Sequence, residues 1–372
     1  MAGICHAHAE IVGAAPSCSS ICSTVGDILP TRQSEVNNKP TITRRELIIA
    51  SALSGLSVAA LTIANAQHRG GGKRSLIKPS HSKMIVSVRD EILMVGGYAS
   101  IAEGLKDIGL SAIETAVARD SSVRAITPTE TKPRLFLNSD EDVDLYAEQL
   151  ASTHTRLTSF LIPNNFGTKE LDAEVAWVIR VVQMAEKLNA GAVRIDSAME
   201  GGRQLPVKTR QEIFTRCLKK VIAETNGVDL GIENHGVEGN DPEFLLGLIH
   251  MVGSKRLGIT MDMGNFYWAG YPIDELYTIL QRLAPYTKHT HVKNIAYPAD
   301  MRNQRRQPGY EYGKYQCPIP DGDIDIKRVI GFLRAAGYHR DICIEDESLG
   351  KYEESVRRQH LKDAAVFLTN AL

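Results

Sequence analysis

The stretch DLGIENHG, residues 229–236, ends a short apolar segment with a glutamate, Glu233, and three later stretches repeat this arrangement. They are LGITMDMGN at 257–265, KHTHVKN at 288–294 and ICIEDES at 342–348, with the polar residues Asp262, His291 and Glu345. The step from Glu233 to Asp262 is 29 residues, and the step from Asp262 to His291 is again 29. This is close to the length of one strand and helix in an eight-fold barrel of about 250 residues. The repeat predicts four polar side chains gathered at one end of a parallel barrel.

Side chains inside these stretches alternate as in a strand, where residues i and i+2 share a face. Around Glu233, the apolar Leu230 and Ile232 face one way, while Gly231 and Glu233 face the other. The stretches that contain Asp262 and Glu345 alternate in the same way. Apolar residues turned toward a helix layer, with small or polar residues turned inward, are typical of a barrel with a functional mouth.

Strand and helix signals alternate along the chain from about residue 82. The predicted strands are 84–88, 112–117, 156–162, 192–197, 230–234, one that ends at Asp262, 289–293 and 342–345. The predicted helices are 100–108, 169–188, 208–225, 242–252, 273–283, 325–336 and 352–372. This alternation predicts a closed parallel (β/α)8 barrel over residues 82–372.

Composition is ordinary for a soluble globular protein. The 372 residues are 43% hydrophobic and 23% charged, and the formal net charge is −1. Nothing in this balance favours binding to nucleic acid or to an anionic membrane surface. Cys217, Cys317 and Cys343 have no metal-like spacing, and we expect them to be unpaired core residues.

The first 66 residues read as a long leader. A pair of arginines, Arg44 and Arg45, precedes an uncharged stretch, 47–66, whose last residues are Ala-Asn-Ala, the small-x-small pattern of a signal-peptidase site. This predicts a twin-arginine signal that engages the export machinery, a linker at 67–81, and a mature protein in the periplasm or outside the cell. The alternative is that the stretch stays as a membrane anchor, because its length approaches the roughly 20 residues needed to span a bilayer.

The chain resembles the xylose isomerase-like TIM barrels, the superfamily of sugar phosphate isomerases and epimerases, over about residues 82–370. The segments that carry the resemblance are Ile232-Glu233-Asn234-His235, Met261-Asp262-Met263-Gly264-Asn265, His291-Val292-Lys293-Asn294, Asp321-Gly322-Asp323-Ile324-Asp325 and Ile344-Glu345. The resemblance implies that Glu233, Asp262, His291 and Glu345 hold one divalent metal ion. It also implies that Glu233 and Glu345 are an acid/base pair on opposite faces of a sugar.

Three carboxylates and one imidazole form a moderately hard ligand set that suits Mn²⁺, Mg²⁺, Co²⁺ or Zn²⁺. Such an ion, chelated by a sugar carbonyl and its neighbouring hydroxyl, acts as a Lewis acid and stabilises an enediolate. We expect Glu233 to remove the carbon-bound proton and Glu345 to return it. Lys293 and His235, on the inward face, are expected to donate to developing oxyanions. The prediction is a metal-dependent sugar isomerase or epimerase.

Four further residues are assigned to substrate binding. Glu114 and Arg194 stand on the inward side of the second and fourth predicted strands. Asn265 stands where many epimerases of this type have a histidine, three residues after the metal aspartate. Arg302 lies in a long loop, rich in arginine and tyrosine, that follows His291. The expected partner is a small-molecule carbohydrate, and a homo-oligomer is left open.

Several alternatives stay open at this point. The same metal site would serve an exported lyase, hydratase or deglycosidase that acts on 3-keto-glycosides and expels the group β to the carbonyl. A sugar-binding barrel without catalysis is an alternative from another class, and the four polar residues are then a buried charge network at the rim. His289, one inward step deeper than His291, is expected to pack inside the barrel. An abasic-site nuclease is disfavoured, because it needs more histidines at strand ends and a basic face.

Overall fold

Residues 83–372 are the part of the chain that the structure, a computed structural model, describes. The predicted leader at 1–66 and linker at 67–81 lie outside the described residues. Eight parallel strands run around a barrel in chain order. They are β1 (Ile85–Arg89), β2 (Ala112–Ala116), β5 (Arg156–Ile162), β6 (Ala192–Ile195), β7 (Asp229–Glu233), β8 (Leu257–Asp262), β9 (Thr287–His291) and β12 (Asp341–Ile344). Two antiparallel pairs lie outside the barrel, β3 (Ser122–Arg124) with β4 (Arg134–Phe136), and β10 (Asn294–Ile295) with β11 (Gln316–Cys317).

Helices follow the strands and form the outer layer. They are α1 (Asp90–Val95), α2 (Ile101–Ile108), α3 (Asp140–Ser152), α4 (Leu171–Lys187), α5 (Val207–Ala223), α6 (Gly236–Gly239), α7 (Pro242–Val252), α8 (Asn265–Trp268), α9 (Ile273–Leu283), α10 (Tyr312–Tyr315), α11 (Ile326–Ala335) and α12 (Glu354–Ala371), with 3₁₀ turns at Ala284–Tyr286, Ile319–Asp321 and Glu347–Lys351. In the described part of the chain, no helix is both long enough and apolar enough to cross a membrane.

Capping residues fix several of the helix ends. The Ser100 side chain accepts a hydrogen bond from the backbone N–H of Glu103 at the start of α2. Asp241 does the same for two backbone N–H groups at the start of α7, where a proline follows it. Both helices end at a glycine in the left-handed region, Gly109 at φ 72° and Gly253 at φ 69°, a conformation that costs other residues more.

The backbone bridge that closes the barrel is made by Val292, which follows β9. Its backbone N–H donates to the carbonyl of Cys343 at 2.8 Å, and the N–H of Glu345 donates to the carbonyl of Val292 at 2.9 Å. We call this junction the seam. Because Val292 lies between His291 and Lys293, the seam brings both residues next to the end of β12.

The main core lies between the strands and the helices, where apolar strand residues such as Val88, Phe160 and Ile232 are fully buried. The barrel interior is polar by contrast, and Glu114 and His289 are fully buried there. A Cβ atom on Gly231 would collide with the Thr260 hydroxyl, so this inward position accepts only glycine without a shift. The side chains that line the barrel mouth therefore come from the residues at the carboxyl ends of the strands.

The predicted (β/α)8 barrel is confirmed, and each predicted strand overlaps an observed one. Helices α7 and α9 begin and end where the sequence predicts. The pair β3–β4 and helix α3, which fill the connection from β2 to β5, were not predicted. Helix α3 buries only Val143, Tyr146 and Leu150 among many charged residues, so its apolar period is faint.

Candidate metal centre

Four predicted ligands meet at the barrel mouth. Glu233, Asp262 and His291 are the last residues of β7, β8 and β9, and Glu345 directly follows β12. One ligand atom from each lies within 4.8 Å of the others. None of the four residues is more than 3% exposed. We call these four residues the quartet. They lie together because the carboxyl ends of parallel strands meet at one end of the barrel, as the 29-residue step between successive ligands predicts.

The two glutamates of the quartet flank the same nitrogen. Nδ1 of His291 lies 2.9 Å from Oε1 of Glu233 and 3.4 Å from Oε2 of Glu345. The other oxygen of each glutamate is bound to an arginine: Oε2 of Glu233 accepts from Nε of Arg194 at 2.5 Å, and Oε1 of Glu345 pairs with Arg89. Each glutamate therefore turns one oxygen toward His291 and the other toward a guanidinium group.

Asp262 has one carboxyl oxygen without a hydrogen bond. Its Oδ1 accepts from the backbone N–H groups of Gly264 at 2.7 Å and Asn265 at 2.8 Å. Its buried Oδ2 forms no hydrogen bond with any described residue, although Lys293 Nζ lies 3.0 Å away as an ion pair. Burial raises the pKa of Asp262 to about 8; Lys293 opposes this rise, and nearby carboxylates add to it. Without a cation, the Asp262 carboxyl therefore keeps its proton at neutral pH. A bound divalent ion would stabilise its ionised form, and the residues fit such an ion.

A chain of buried hydrogen bonds lies beneath His291. Nε2 of His291 is 2.8 Å from Oε2 of Glu114, and Oε1 of Glu114 is 2.9 Å from Nε2 of His289. Nδ1 of His289 is 3.1 Å from Oδ1 of Asp341, whose Oδ2 accepts from the Ser87 hydroxyl at 2.6 Å. We call Glu114, His289, Asp341 and Ser87 the lower chain. Because Glu114 binds Nε2, the Nδ1 atom of His291 is the one that faces the quartet, as metal-binding histidines require.

Charge keeps the two glutamates ionised. Burial alone would raise the pKa of Glu233, but Arg194 and His291 outweigh it and lower the pKa to about 2. Glu345 is buried too, and His291, Lys293 and its arginine partner hold its pKa well below the usual range. Both side chains are therefore proton acceptors at neutral pH.

Lys293 lies within the mouth, as predicted. Its Nζ is 3.3 Å from Oε2 of Glu345 and 2.7 Å from Oε1 of Glu347, in addition to its ion pair with Asp262. Burial would lower the pKa of Lys293, but Asp262 and Glu345 raise it well above its ordinary value. Lys293 is accordingly a cationic donor beside the quartet.

Three other predicted residues surround Glu233. Asn265, on α8, donates to Oε1 of Glu233 at 3.4 Å. Arg194, besides its bond to Glu233, pairs with Oδ2 of Asp196 at 3.0 Å. His235 is half exposed, and its Nδ1 lies 3.3 Å from Oδ1 of Asp196, a hydrogen bond that raises the pKa of the imidazole. The structure brings all three to the mouth, and their roles toward a substrate stay predictions.

Two other predicted substrate residues have different surroundings. Glu114 is fully buried in the lower chain, and an imidazole binds each of its oxygens. Arg302 is bound within its own loop, to Oδ1 of Asp323 at 2.9 Å and to the carbonyl of Tyr297 at 3.2 Å. A substrate contact for either residue stays a prediction.

Three residues near the quartet were assigned no role from the sequence. Arg89 is the inward residue after Ser87, but the predicted first strand ends one residue before it. Glu347 follows Glu345 on the same face of the alternation, and its carboxylate binds both Lys293 and Tyr312. Alternation, followed one step further in β1, would have found Arg89, and in the last strand it already places Glu347 on the inward face, as a candidate partner of Lys293. No periodic signal marks Tyr312, because it lies in a loop.

Comparisons with known proteins agree with the barrel fold. The model of the xylose isomerase-like TIM barrel family matches residues 103–364. An uncharacterized protein of Methanocaldococcus jannaschii is 32% identical over 132 residues, which are 34% of this chain and 40% of that protein. The chain thus spans less than half the length of this curated relative.

Solved structures show the same fold at low sequence identity. A xylose isomerase domain protein from Alicyclobacillus acidocaldarius has a TM-score of 0.56 at 15% identity, covering 77% of this chain and 99% of that one. A 3-keto-D-glucoside 4-epimerase from E. coli has a TM-score of 0.53 at 12% identity, covering 76% and 100%. A xylose isomerase-like barrel from Mycobacterium smegmatis, in complex with magnesium, has a TM-score of 0.51 at 14% identity, covering 77% and 98%. The family model covers well over half of the chain, and the chain therefore belongs to the xylose isomerase-like TIM barrel family.

Proposed function

We propose that this protein is a metal-dependent isomerase or epimerase of an uncharged carbohydrate, which moves a proton on a carbon atom next to a carbonyl group. The observation that carries the proposal is the pair of buried glutamates around Nδ1 of His291. Both are ionised, and both share the quartet with a third carboxylate, Asp262. Solved structures with the same fold are named as an epimerase, an epimerase-like protein and dehydratases, which supports an enzyme of the sugar-processing kind.

The roles of the residues follow from their contacts. Glu233 is the base that accepts the carbon-bound proton, and Arg194 and Asn265 hold its carboxylate in place. Glu345, on the other side of His291, returns the proton to the substrate. Lys293 donates to the oxygen on which negative charge develops, since its Nζ stays protonated beside Glu345.

The quartet would hold one divalent ion, which supplies Lewis-acid polarisation of the substrate carbonyl when bound. The magnesium complex of a family member with the same fold supports this cofactor. Glu114 keeps the Nε2 atom of His291 engaged, so that Nδ1 faces the quartet and would be free to bind an ion there.

The pairing of the cations supports an uncharged substrate. Arg89 pairs with Glu345, Arg194 with Glu233 and Asp196, and Lys293 with three carboxylates. A phosphate or carboxylate group on the substrate would have to displace a buried carboxylate from its partner, which is costly. A neutral hydroxyl or carbonyl group needs no such exchange.

A lyase acting on 3-keto-glycosides is the second candidate. It uses the same proton abstraction by Glu233, followed by loss of the group β to the carbonyl. The position of Lys293 beside Glu345 favours it, because a protonated amine next to the second glutamate suits protonation of a leaving oxygen.

One experiment tests the proposal and separates the two reactions. The metal-loaded barrel is incubated in D₂O with a panel of keto-sugars and 3-keto-glycosides, and products are followed by NMR. Deuterium at the carbon next to the carbonyl is expected, together with an epimer or isomer for the first candidate or an elimination product for the second. Absence of exchange with every sugar of the panel, by protein shown to contain metal, would contradict the proposed function.

We also propose that the mature protein is exported through a twin-arginine signal. The support is in the sequence, where Arg44 and Arg45 precede the uncharged stretch 47–66. N-terminal sequencing of protein from native cells is expected to begin near Gln67. A soluble cytoplasmic protein that retains residues 47–66 would contradict this proposal.

A further inference from the structure

The long loop that joins β10 to α11 is fastened over the barrel mouth. Strands β10 and β11 pair across its base, and the Lys351 Nζ donates to the carbonyls of Lys314 at 3.0 Å and Gln316 at 2.7 Å. Further along, the Gly309 N–H donates to the carbonyl of Trp268 at 2.8 Å. These bonds hold both flanks of the short helix α10, which begins at Tyr312, so the position of Tyr312 is set by the fold.

Tyr312 is joined to the quartet by two short steps. Its hydroxyl donates to Oε2 of Glu347 at 2.5 Å, and Oε1 of the same carboxylate accepts from Lys293 Nζ at 2.7 Å. Lys293 in turn contacts Asp262 and Glu345. The Tyr312 hydroxyl is therefore on the Glu345 side of the mouth, two side chains away from the quartet.

Exposure distinguishes this pair from the quartet. The side chain of Glu347 is 36% exposed and that of Asp262 is fully buried. Tyr312 is partly exposed as well. Glu347 and Tyr312 therefore lie on the solvent side of Lys293, and their oxygens keep free lone pairs.

The chemistry of the pair selects a hydroxyl group. A carboxylate repels an anionic group, and Lys293 directly behind it disfavours a cationic one. A neutral hydroxyl can donate to a free lone pair of the carboxylate or of the phenol oxygen without desolvating a second charge.

We propose that Tyr312 and Glu347 form a binding subsite for a hydroxyl group of an uncharged carbohydrate, beyond the oxygens that reach the quartet. This rests on the proposed function in that it names a carbohydrate as the ligand. Tyr312 is then a specificity-determining residue, which favours longer polyhydroxylated chains over short ones.

Calorimetric binding of two uncharged polyols to the Mn²⁺-loaded protein tests the subsite without any turnover. Sorbitol has six hydroxylated carbons and glycerol three, so sorbitol extends further from the quartet and is the polyol expected to reach Tyr312. Tyr312→Phe removes one hydroxyl and keeps the ring. We expect it to weaken sorbitol binding by about fivefold to tenfold, the effect of one hydrogen bond, and to change glycerol binding less than about twofold.

The matched control is Tyr310→Phe, at an exposed tyrosine of the same loop. This variant is expected to bind sorbitol as the unaltered protein does. Hydrogen exchange of the loop amides shows whether Tyr312→Phe has loosened the loop. An unchanged sorbitol affinity in Tyr312→Phe, or an equal loss of affinity for both polyols, would contradict the proposed subsite. The hydrogen bond from Tyr312 to Glu347 would then only hold the loop in place.

The same measurement distinguishes failure of the subsite from failure of the proposed function. Sorbitol binding that depends on Tyr312, in a protein that exchanges deuterium into no sugar, supports the subsite and rejects the catalytic proposal. Turnover of a sugar that Tyr312→Phe leaves unchanged, together with no sorbitol binding to the unaltered protein, rejects the subsite and leaves the catalytic proposal standing.

Discussion

The quartet and the lower chain are built from the same kinds of residue and share the ring of His291, yet they differ in how their polar atoms are satisfied. In the lower chain, both oxygens of Glu114 and both oxygens of Asp341 have hydrogen-bond partners. In the quartet, three carboxylates converge and Oδ2 of Asp262 has no hydrogen bond among the described residues. The comparison teaches that complete hydrogen bonding, more than residue type, separates a structural cluster from a site that can bind an ion.

Distance alone does not make this separation. Glu114, His289, His291 and Cys343 also offer ligand atoms within 4.8 Å of one another. An ion placed among them would have to replace the hydrogen bonds from two imidazoles to Glu114. The lower chain therefore serves as a support for His291, and the quartet as the candidate metal centre.

The largest expected effect comes from breaking the lower chain at His289. His289→Ala leaves the buried carboxylates of Glu114 and Asp341 without their shared partner, which should lower the free energy of unfolding by about 3–5 kcal/mol. His291→Ala also leaves an oxygen of Glu114 without its partner, but unlike His289→Ala it should remove most of the bound metal. Chemical denaturation and metal analysis of both variants check this. Equal metal loss and equal destabilisation in the two variants would contradict the division into a supporting lower chain and a metal-binding quartet.

The second effect concerns catalysis at the quartet. Glu233→Gln keeps the shape of the side chain and an oxygen ligand but removes the base, so turnover and solvent deuterium exchange should both fall by at least about 100-fold. Glu345→Gln should lower turnover while exchange at the carbon served by Glu233 persists. Deuterium exchange at the unaltered rate in Glu233→Gln would exclude Glu233 as the base and favour Lys293 or His235.

The third effect is a pH dependence of the free energy of unfolding of the metal-free protein. The pKa of Asp262 is raised from 3.8 in the unfolded chain to about 8. Between these values the folded state holds a proton that the unfolded chain has lost, so stability falls as pH rises, by up to about 1.4 kcal/mol per pH unit. Thermal unfolding from pH 5 to 8 should show this slope, and Asp262→Asn should reduce it. Saturating metal should remove it; a slope that metal leaves unchanged contradicts the assignment.

The smallest effect is expected at Arg302, whose ion pair with Asp323 is half exposed. Arg302→Ala should cost no more than about 1 kcal/mol of stability, since exposed ion pairs contribute little. If Arg302 only fastens its loop, KM for the substrate should change less than about threefold. A tenfold rise in KM with unchanged stability would support a substrate contact instead.

The barrel and the quartet could be predicted from the sequence because both depend on periodic patterns that are visible in short stretches of it. Alternation inside a strand and the repeated step between strands are enough to bring Glu233, Asp262 and His291 together. The partners of these residues follow no period. Arg89 reaches Glu345 across 256 residues, and Tyr312 reaches Glu347 from a loop. Such contacts depend on side-chain rotamers and loop paths that only the folded chain defines.

The seam at Val292 ties the candidate site to the completion of the barrel. Three residues of the quartet precede the seam in the chain, and Glu345 follows it, 112 residues after Glu233. An ion held by all four residues is then a reversible cross-link that closes this long segment, and its binding offsets part of the entropy that closure costs. Binding of the ion and docking of the last strand would then be one equilibrium. The concentration of the metal ion would therefore set the stability of the closed barrel.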